Sequence, residues 1–249
     1  MSAESPSTMR ALPAARRRTK PGSQTALRAR NQQRILDALL AAGPQTQAEL
    51  SRSTGLSSAT VSNIVRQLSE AGLVKTEPTT SSGRRALSVR LNDNGAVAAG
   101  IDIGRRHVRV VLATLGYRIV GEDSISLPAG HSADEGMDAA AELFDSVLRD
   151  AGVDRDRVLG AGVGIPGPID RRSGTVVRGA ILPEWVGINM REDLAGRLKV
   201  PVYIDNDANL GALAQVTWGP HGGCENLIFV KVATGIGAGL VINGALFYG

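Results

Sequence analysis

Ser58, Thr60, Ser62, Asn63 and Arg66 place hydroxyl, amide and guanidinium groups within one short stretch. Such side chains on a single helix can read base edges in a major groove while neighbouring cations hold phosphates. Arg84 and Arg85 supply cations of that kind at the tip of a predicted hairpin. A second group, Asn206-Asp207-Ala208-Asn209, sets a carboxylate beside amides between a predicted strand and a predicted helix. That arrangement can bind or deprotonate a sugar hydroxyl, and it is equally the composition of a helix N-cap. Gly162-Val163-Gly164-Ile165-Pro166-Gly167 matches the dinucleotide fingerprint in form only. Pro166 and Pro168 would break the helix that must hold a pyrophosphate, so a tight loop after a buried strand is expected instead. His107, His131 and His221 lack metal-ligand spacing, and the single Cys224 excludes an internal disulfide and a clustered-cysteine zinc site. No metal and no cofactor is expected.

The elements that must position these residues follow from periodicity. Ile35, Leu36, Leu39 and Leu40 fall at helical spacing between Asn31 and Ala42, and Gly43-Pro44 ends the segment. Thr46-x-x-Glu49 is a capping box that opens a short helix carrying Leu50 and stopping at Thr54-Gly55. Ser57 or Ser58 caps a third helix. Its apolar residues Val61, Ile64, Val65 and Leu68 lie at i, i+3, i+4 and i+7, which leaves the polar candidates on other faces. Leu73 to Lys75 and Ala86 to Leu91 read as the strands of a β-wing around Ser81 to Arg85. Beyond Asn92 the period becomes strand-like, with strands expected at 98–104, 107–115, 116–127, 158–165, 200–204, 227–232 and 237–242. Helices are expected near 133–151 and 190–198 and after Asp207.

Charge divides the chain at the same boundary. Residues 1–92 hold 14 Lys and Arg against 5 Asp and Glu, a net +9, whereas residues 93–249 hold 14 against 19, a net −5. A polyanion partner therefore belongs to the N-terminal third. The first 30 residues, rich in Ser, Pro, Ala and Arg, are read as a disordered basic arm in preference to an Arg-rich transit peptide. Aromatics are only 3% of the chain, which argues against a stacking platform for single strands. The least polar run, Leu227 to Phe247, contains Lys231, Asn243 and several glycines, so sheet strands are expected rather than a membrane span, and a cytoplasmic location with them.

From Ala96 onward the sequence resembles the ROK family of repressors, open reading frames and sugar kinases. The resemblance rests on Ile101-Asp102-Ile103-Gly104, Gly164-Ile165-Pro166-Gly167-Pro168, Ile181-Leu182-Pro183-Glu184-Trp185, Asp205-Asn206-Asp207-Ala208-Asn209 and Thr234-Gly235-Ile236-Gly237, in the family's order. It implies an α+β multidomain chain: a winged helix-turn-helix at 31–92, followed at 96–249 by an incomplete actin-like (ribonuclease H-like) α/β sugar-kinase domain. By the same resemblance Asn206 and Asp207 would contact sugar hydroxyls, with Asp207 the general base in kinases. Asp102, Gly104, Thr234 and Gly235 would be remnants of a phosphate site. Kinases of the family carry Gly-Gly-Thr where this chain has Gly104-Arg105-Arg106, whose side chains would obstruct the turn. The chain also stops before the family's Glu-x-Gly-His motif and Cys-rich zinc segment. The kinase-like domain is therefore expected to be incomplete and non-catalytic, with the last strands exposing apolar faces. The expected function is a repressor of sugar-utilisation genes that binds duplex operator DNA as a homodimer and responds to a sugar or sugar phosphate. The alternatives are an ATP-dependent sugar kinase and a DNA-binding remnant without effector response.

Overall fold

A computed structural model describes residues 24–81, 84–178, 183–219, 223–233 and 235–248. The chain divides into two compact units, Met1–Gly95 and Ala96–Gly249.

The first unit opens with α1, Gln24–Ala42. This helix begins seven residues earlier than expected: 24–30 are helical, which corrects the reading of the whole N-terminal arm as disordered. The rest of that arm lies outside the described residues. Arg28 and Gln32 of α1 both donate to the Gln67 side chain, at 3.2 and 3.3 Å, so the polar extension is held by hydrogen bonds and not by an apolar period. The strand β1, Gln45–Thr46, and the helix α2, Gln47–Thr54, follow. The capping box forms as expected: Thr46 Oγ1 accepts from the Glu49 amide, and the Glu49 carboxylate accepts from the Thr46 amide at 2.7 Å. Gly55 ends α2 at φ 67°, a left-handed conformation that favours glycine. The helix α3, Ser58–Glu70, is capped by Ser57 and buries Val61, Ile64, Val65 and Leu68. The wing strands β2, Val74–Ser81, and β3, Arg84–Leu91, pair in antiparallel register, and β1 joins the outer edge of β3. The α3 stripe meets Ile35, Leu39, Leu50, Val74 and Val89 in one core. Each such side chain contributes about 1.5–3 kcal/mol on burial.

The second unit is built on a five-stranded sheet. Its strands are β4, Val97–Ile103, β5, His107–Thr114, β6, Ile119–Ser126, β7, Val158–Ile165, and β10, Val202–Asn206, in the order β10-β7-β4-β5-β6. The β4-β7 and β7-β10 pairs are parallel, and the meander β4-β5-β6 is antiparallel. Between β7 and β10 comes a small hairpin of β8, Ile169–Asp170, and β9, Thr175–Val176. The alternating burial of β4 and β5 turns Val97, Ala99, Ile101, Val108, Val110 and Leu112 towards α4, Ala133–Asp150, whose Met137, Phe144 and Val147 face them. Ser132 and Glu135 cap α4 with a second capping box. The helix α5, Met190–Leu198, packs beside α4 and carries Leu194 and Leu198 into the same core. The helix α6, Asp207–Thr217, leaves the end of β10 and carries a second sheet, β11 (Leu227–Val232), β12 (Ile236–Ile242) and β13 (Ala245–Phe247). Gly211 of α6 allows this contact, because a Cβ there would sit 2.4 Å from the Phe229 ring. The outward face of this second sheet is apolar, with Ile228, Val232 and Ile236 at least 70% exposed.

Candidate functional site

In the first unit Ser58, Ser62, Asn63 and Arg66 are exposed on α3, and Thr60 is half-buried. Their directions follow from the stripe beneath them, since a helix that buries Val61, Ile64 and Leu68 must turn its other faces to solvent. Thr60 is engaged in the cap: its amide donates to Ser57 Oγ, and the two hydroxyls lie 2.8 Å apart. Arg66 Nη2 and Gln67 Nε2 both donate to Asn63 Oδ1, at 2.9 and 3.2 Å. Asn63 therefore has its acceptor engaged and presents N–H donors. Arg85 is exposed at the start of β3, whereas the side chain of Arg84 lies outside the described residues. Arg85 shares a groove of about 960 Å³ with Thr46 and Arg52 of the α2 segment and Thr80 of the wing. Arg52 and Gln67 were not expected from the sequence. Lower on the wing, Arg90 pairs with Glu77 at 2.7 Å, and that hydrogen bond and charge hold the Glu77 carboxyl below its usual range.

In the second unit a cavity of about 740 Å³ opens between the ends of β4, β7 and β10 on one side and β11, β12 and the chain end on the other. The loop after β7, Pro166-Gly167-Pro168, enters no helix, as the two prolines require. Asn206 is the N-cap of α6: its Oδ1 accepts from the Ala208 and Asn209 amides, and its Nδ2 donates to Gly167 O at 3.0 Å. Asn206 thereby ties the loop to the helix and keeps its second Nδ2 hydrogen for another acceptor. Asp207, the first residue of α6, accepts from the Ala208 amide on Oδ1 and from Lys231 Nζ on Oδ2, the latter at 2.6 Å. Asp205, only 8% exposed, is the hub of the cavity. Its Oδ1 accepts from the Asn206 amide and Asn209 Nδ2, and its Oδ2 accepts from Tyr248 at 3.0 Å with Arg171 Nε 3.4 Å away. The Arg171 guanidinium lies 3.7 Å above the Tyr248 ring. Burial, then the negative charge of Asp205, pushes the Tyr248 phenol up to about 12, so it stays a donor at any ordinary pH.

Of the residues expected around phosphate, Gly104 and Gly235 line the same cavity, and Asp102 does not. Arg105 and Arg106 line it beside Gly104. Thr234 lies outside the described residues, as do Ile181, Leu182 and His221. Asp102 is engaged by His107, whose Nε2 sits 2.9 Å from Oδ2. The same imidazole packs against Gly104, where a Cβ would meet it at 2.2 Å. Sequence reasoning missed Asp205, Arg171, Lys231 and Tyr248. The signal for Lys231 was available, because it is the only charged residue in the apolar strand β11.

A winged helix followed by a two-sheet domain with a polar cleft at its strand ends defines a DNA-binding module coupled to a kinase-like fold. Residues 98–249 match the ROK family, and residues 29–85 match the MarR family. The chain belongs to the ROK family. It is 30% identical over 230 residues to a putative xylose repressor of Caldicellulosiruptor sp. (strain Rt8B.4), covering 92% of this chain and 57% of that protein. It is 29% identical over 217 residues to the DNA-binding transcriptional dual regulator NagC of Escherichia coli (strain K12), covering 83% of this chain and 51% of NagC. A solved ROK family transcriptional regulator, a homolog of the E. coli MLC protein, superposes with a TM-score of 0.73 at 21% identity over 90% of this chain and 57% of that one, which establishes the shared fold. A ROK family glucokinase from Streptomyces griseus, solved with glucose and AMPPNP, superposes with a TM-score of 0.56 at 25% identity over 62% of this chain and 47% of the glucokinase. The chain thus spans somewhat more than half the length of the curated relatives it matches.

Proposed function

We propose that the chain is a sugar-responsive transcriptional repressor. The winged helix, 31–92, binds duplex operator DNA, and the ROK domain, 96–249, receives a carbohydrate effector. The observation that carries this reading is the exposed polar face of α3 with Arg66 at its centre and Arg85 on the adjoining wing, in a unit of strongly basic composition. In this reading Ser58, Ser62, Asn63 and Arg66 meet base edges, Thr60 orients the helix start, and Arg84 and Arg85 contact phosphates. The relatives named as repressors support it.

The kinase-like cleft acts as a receptor and not as a catalyst. Asp207 accepts from the Ala208 amide on one oxygen and from the Lys231 ammonium at 2.6 Å on the other, which fixes the carboxylate in place and leaves lone pairs to accept from a ligand hydroxyl. Asp102, tied to His107 and outside the cavity lining, is not placed to organise a metal-bound phosphate. Asp205 and Asp207 orient sugar hydroxyls instead. Operator binding as a homodimer, in the cytoplasm where the operator lies, follows from the two-fold symmetry common to helix-turn-helix sites. Among the described residues no helix is long and apolar enough to cross a membrane.

The test is binding of the purified chain to the DNA upstream of its own gene, against random DNA, across salt concentrations and with a panel of sugars. Preference for the upstream DNA that one sugar abolishes is the expected result. Equal affinity for both DNAs sinks the regulator reading, and steady ATP turnover with any sugar sinks the non-catalytic one.

A further inference from the structure

A groove of about 380 Å³ lies between the start of α1 and the polar face of α3, with Leu27, Arg28 and Asn31 on one wall and Ala59, Asn63 and Ile64 on the other. Leu27 is 60% exposed, more than any other large apolar side chain in the described part of the winged unit. It takes no part in the core that holds Ile35 and Leu39, so packing gives no reason for a leucine there. Among the described residues no carboxylate lines the groove, and Arg28 borders it. Its surroundings therefore suit a polyanion that also presents an apolar group.

The polar wall has a fixed hydrogen-bonding sense. Asn63 Oδ1 already accepts from Arg66 Nη2 and Gln67 Nε2, at 2.9 and 3.2 Å, so what remains to Asn63 is its N–H donors. The groove thus sets a donor beside apolar surface. In the major groove of duplex DNA one base answers both, because the edge of thymine carries the O4 acceptor and the C5 methyl group. Guanine offers two acceptors without a methyl, adenine an acceptor beside an amino donor, and cytosine an amino donor.

We propose that this groove is a thymine site: the C5 methyl lies against Leu27 and Ala59 while Asn63 donates to O4. The inference rests on the operator-binding reading above and names a base that the junction of α1 and α3 selects. It makes the start of α1 part of the reading surface and gives Leu27, which is not on α3 at all, a share in specificity. Gln67 keeps the two walls in register, since its carbonyl accepts from Arg28 and Gln32 of α1 while its amide holds Asn63.

Fluorescence anisotropy of the full chain on the preferred segment of its own upstream DNA tests this. Each thymine is replaced in turn by deoxyuridine, which removes the C5 methyl and nothing else. At one or more positions the affinity is expected to fall about three- to fivefold, the size of one buried methyl group. Leu27→Ala is expected to bind the thymine DNA as weakly as the parent chain binds the deoxyuridine DNA, with no further distinction between the two. Leu27→Met, which keeps the apolar contact, should still distinguish them. Alanine favours helix and Leu27 lies outside the core, so the far-ultraviolet circular dichroism of the alanine variant should match the parent chain. A scan in which every deoxyuridine is silent overturns the inference and leaves operator binding standing. A sensitive thymine that Leu27→Ala still distinguishes puts the methyl against another residue and also overturns it. So does a change in molecular mass of Leu27→Ala by light scattering, which would make Leu27 a contact between copies of the chain. Equal binding to upstream and random DNA removes the operator reading and this inference with it.

Discussion

The exposed arginines of α2, α3 and the wing and the carboxylates of the kinase-like cleft are held in opposite ways. On the DNA-binding side Arg52, Arg66 and Arg85 project from α2, α3 and the wing with no carboxylate within ion-pair distance among the described residues. In the cleft, Asp205 and Asp207 are each fastened to a cation, and Asp205 to a phenol as well, at 2.6 to 3.4 Å. A polyanion with repeating phosphates rewards mobile cations that keep their hydration until contact, and the gain is strongly salt-dependent. A small ligand rewards groups already fixed in place, because its few contacts must offset the freedom lost on binding. The two surfaces are therefore expected to respond differently to the same perturbation.

The largest expected effect comes from breaking one unit and leaving the other. Phe144→Ala removes a fully buried ring between α4 and the five-stranded sheet, and should cost about 3–5 kcal/mol in that unit's urea transition. The transition of the winged unit, followed by DNA binding, should stay where it was. Arg66→Ala sharpens the comparison at the DNA surface: a loss of about 1–3 kcal/mol on operator DNA, and a narrower gap between operator and random DNA, is expected in fluorescence anisotropy. Arg85→Ala should weaken both DNAs together and reduce the slope of log affinity against log salt by about one. Next in size is Thr46→Ala, which deletes half of the capping box of α2 and should lower stability by about 0.5–2 kcal/mol in the same denaturation assay. The smallest effect is a pH dependence. Glu49 and Glu135 are both held below the usual carboxylate range, chiefly by backbone hydrogen bonds from Thr46 and Ser132. A depressed carboxyl contributes stability above its unfolded value, and that contribution is lost as pH falls through the folded one. Urea midpoints should therefore drop slightly below about pH 4.5, and less so in Glu49→Gln or Glu135→Gln than in the parent chain.

Periodic elements could be read from the sequence, and long-range partners could not. The α3 stripe, both ends of β7 and α5, and the Thr46–Glu49 box all announce themselves within a few residues. The early start of α1 escaped because Gln24 to Arg30 shows no apolar period and is secured by Gln67, more than thirty residues away. The strand β10 begins at Val202 and not at Val200, since Pro201 has no amide to give the ladder and contributes only its carbonyl, to Ala161. In the cleft, Asp207 was marked by its local motif. Its partner Lys231 is 24 residues downstream, and Tyr248 is 43 residues from Asp205. No spacing rule connects such pairs, because the fold brings them together only after α6 has turned the second sheet back over the first.

The Gln67 side chain described at the junction of α1 and α3 behaves as a mechanical joint. Its carbonyl oxygen receives Arg28 and Gln32 of α1, and its amide nitrogen grips Asn63, which Arg66 also grips. On the proposed DNA-binding reading, a twist of α1 about its own axis would be geared onto Asn63 and Arg66, two of the side chains assigned to base edges. Torque on α1 would then reach the proposed reading face through hydrogen bonds between side chains.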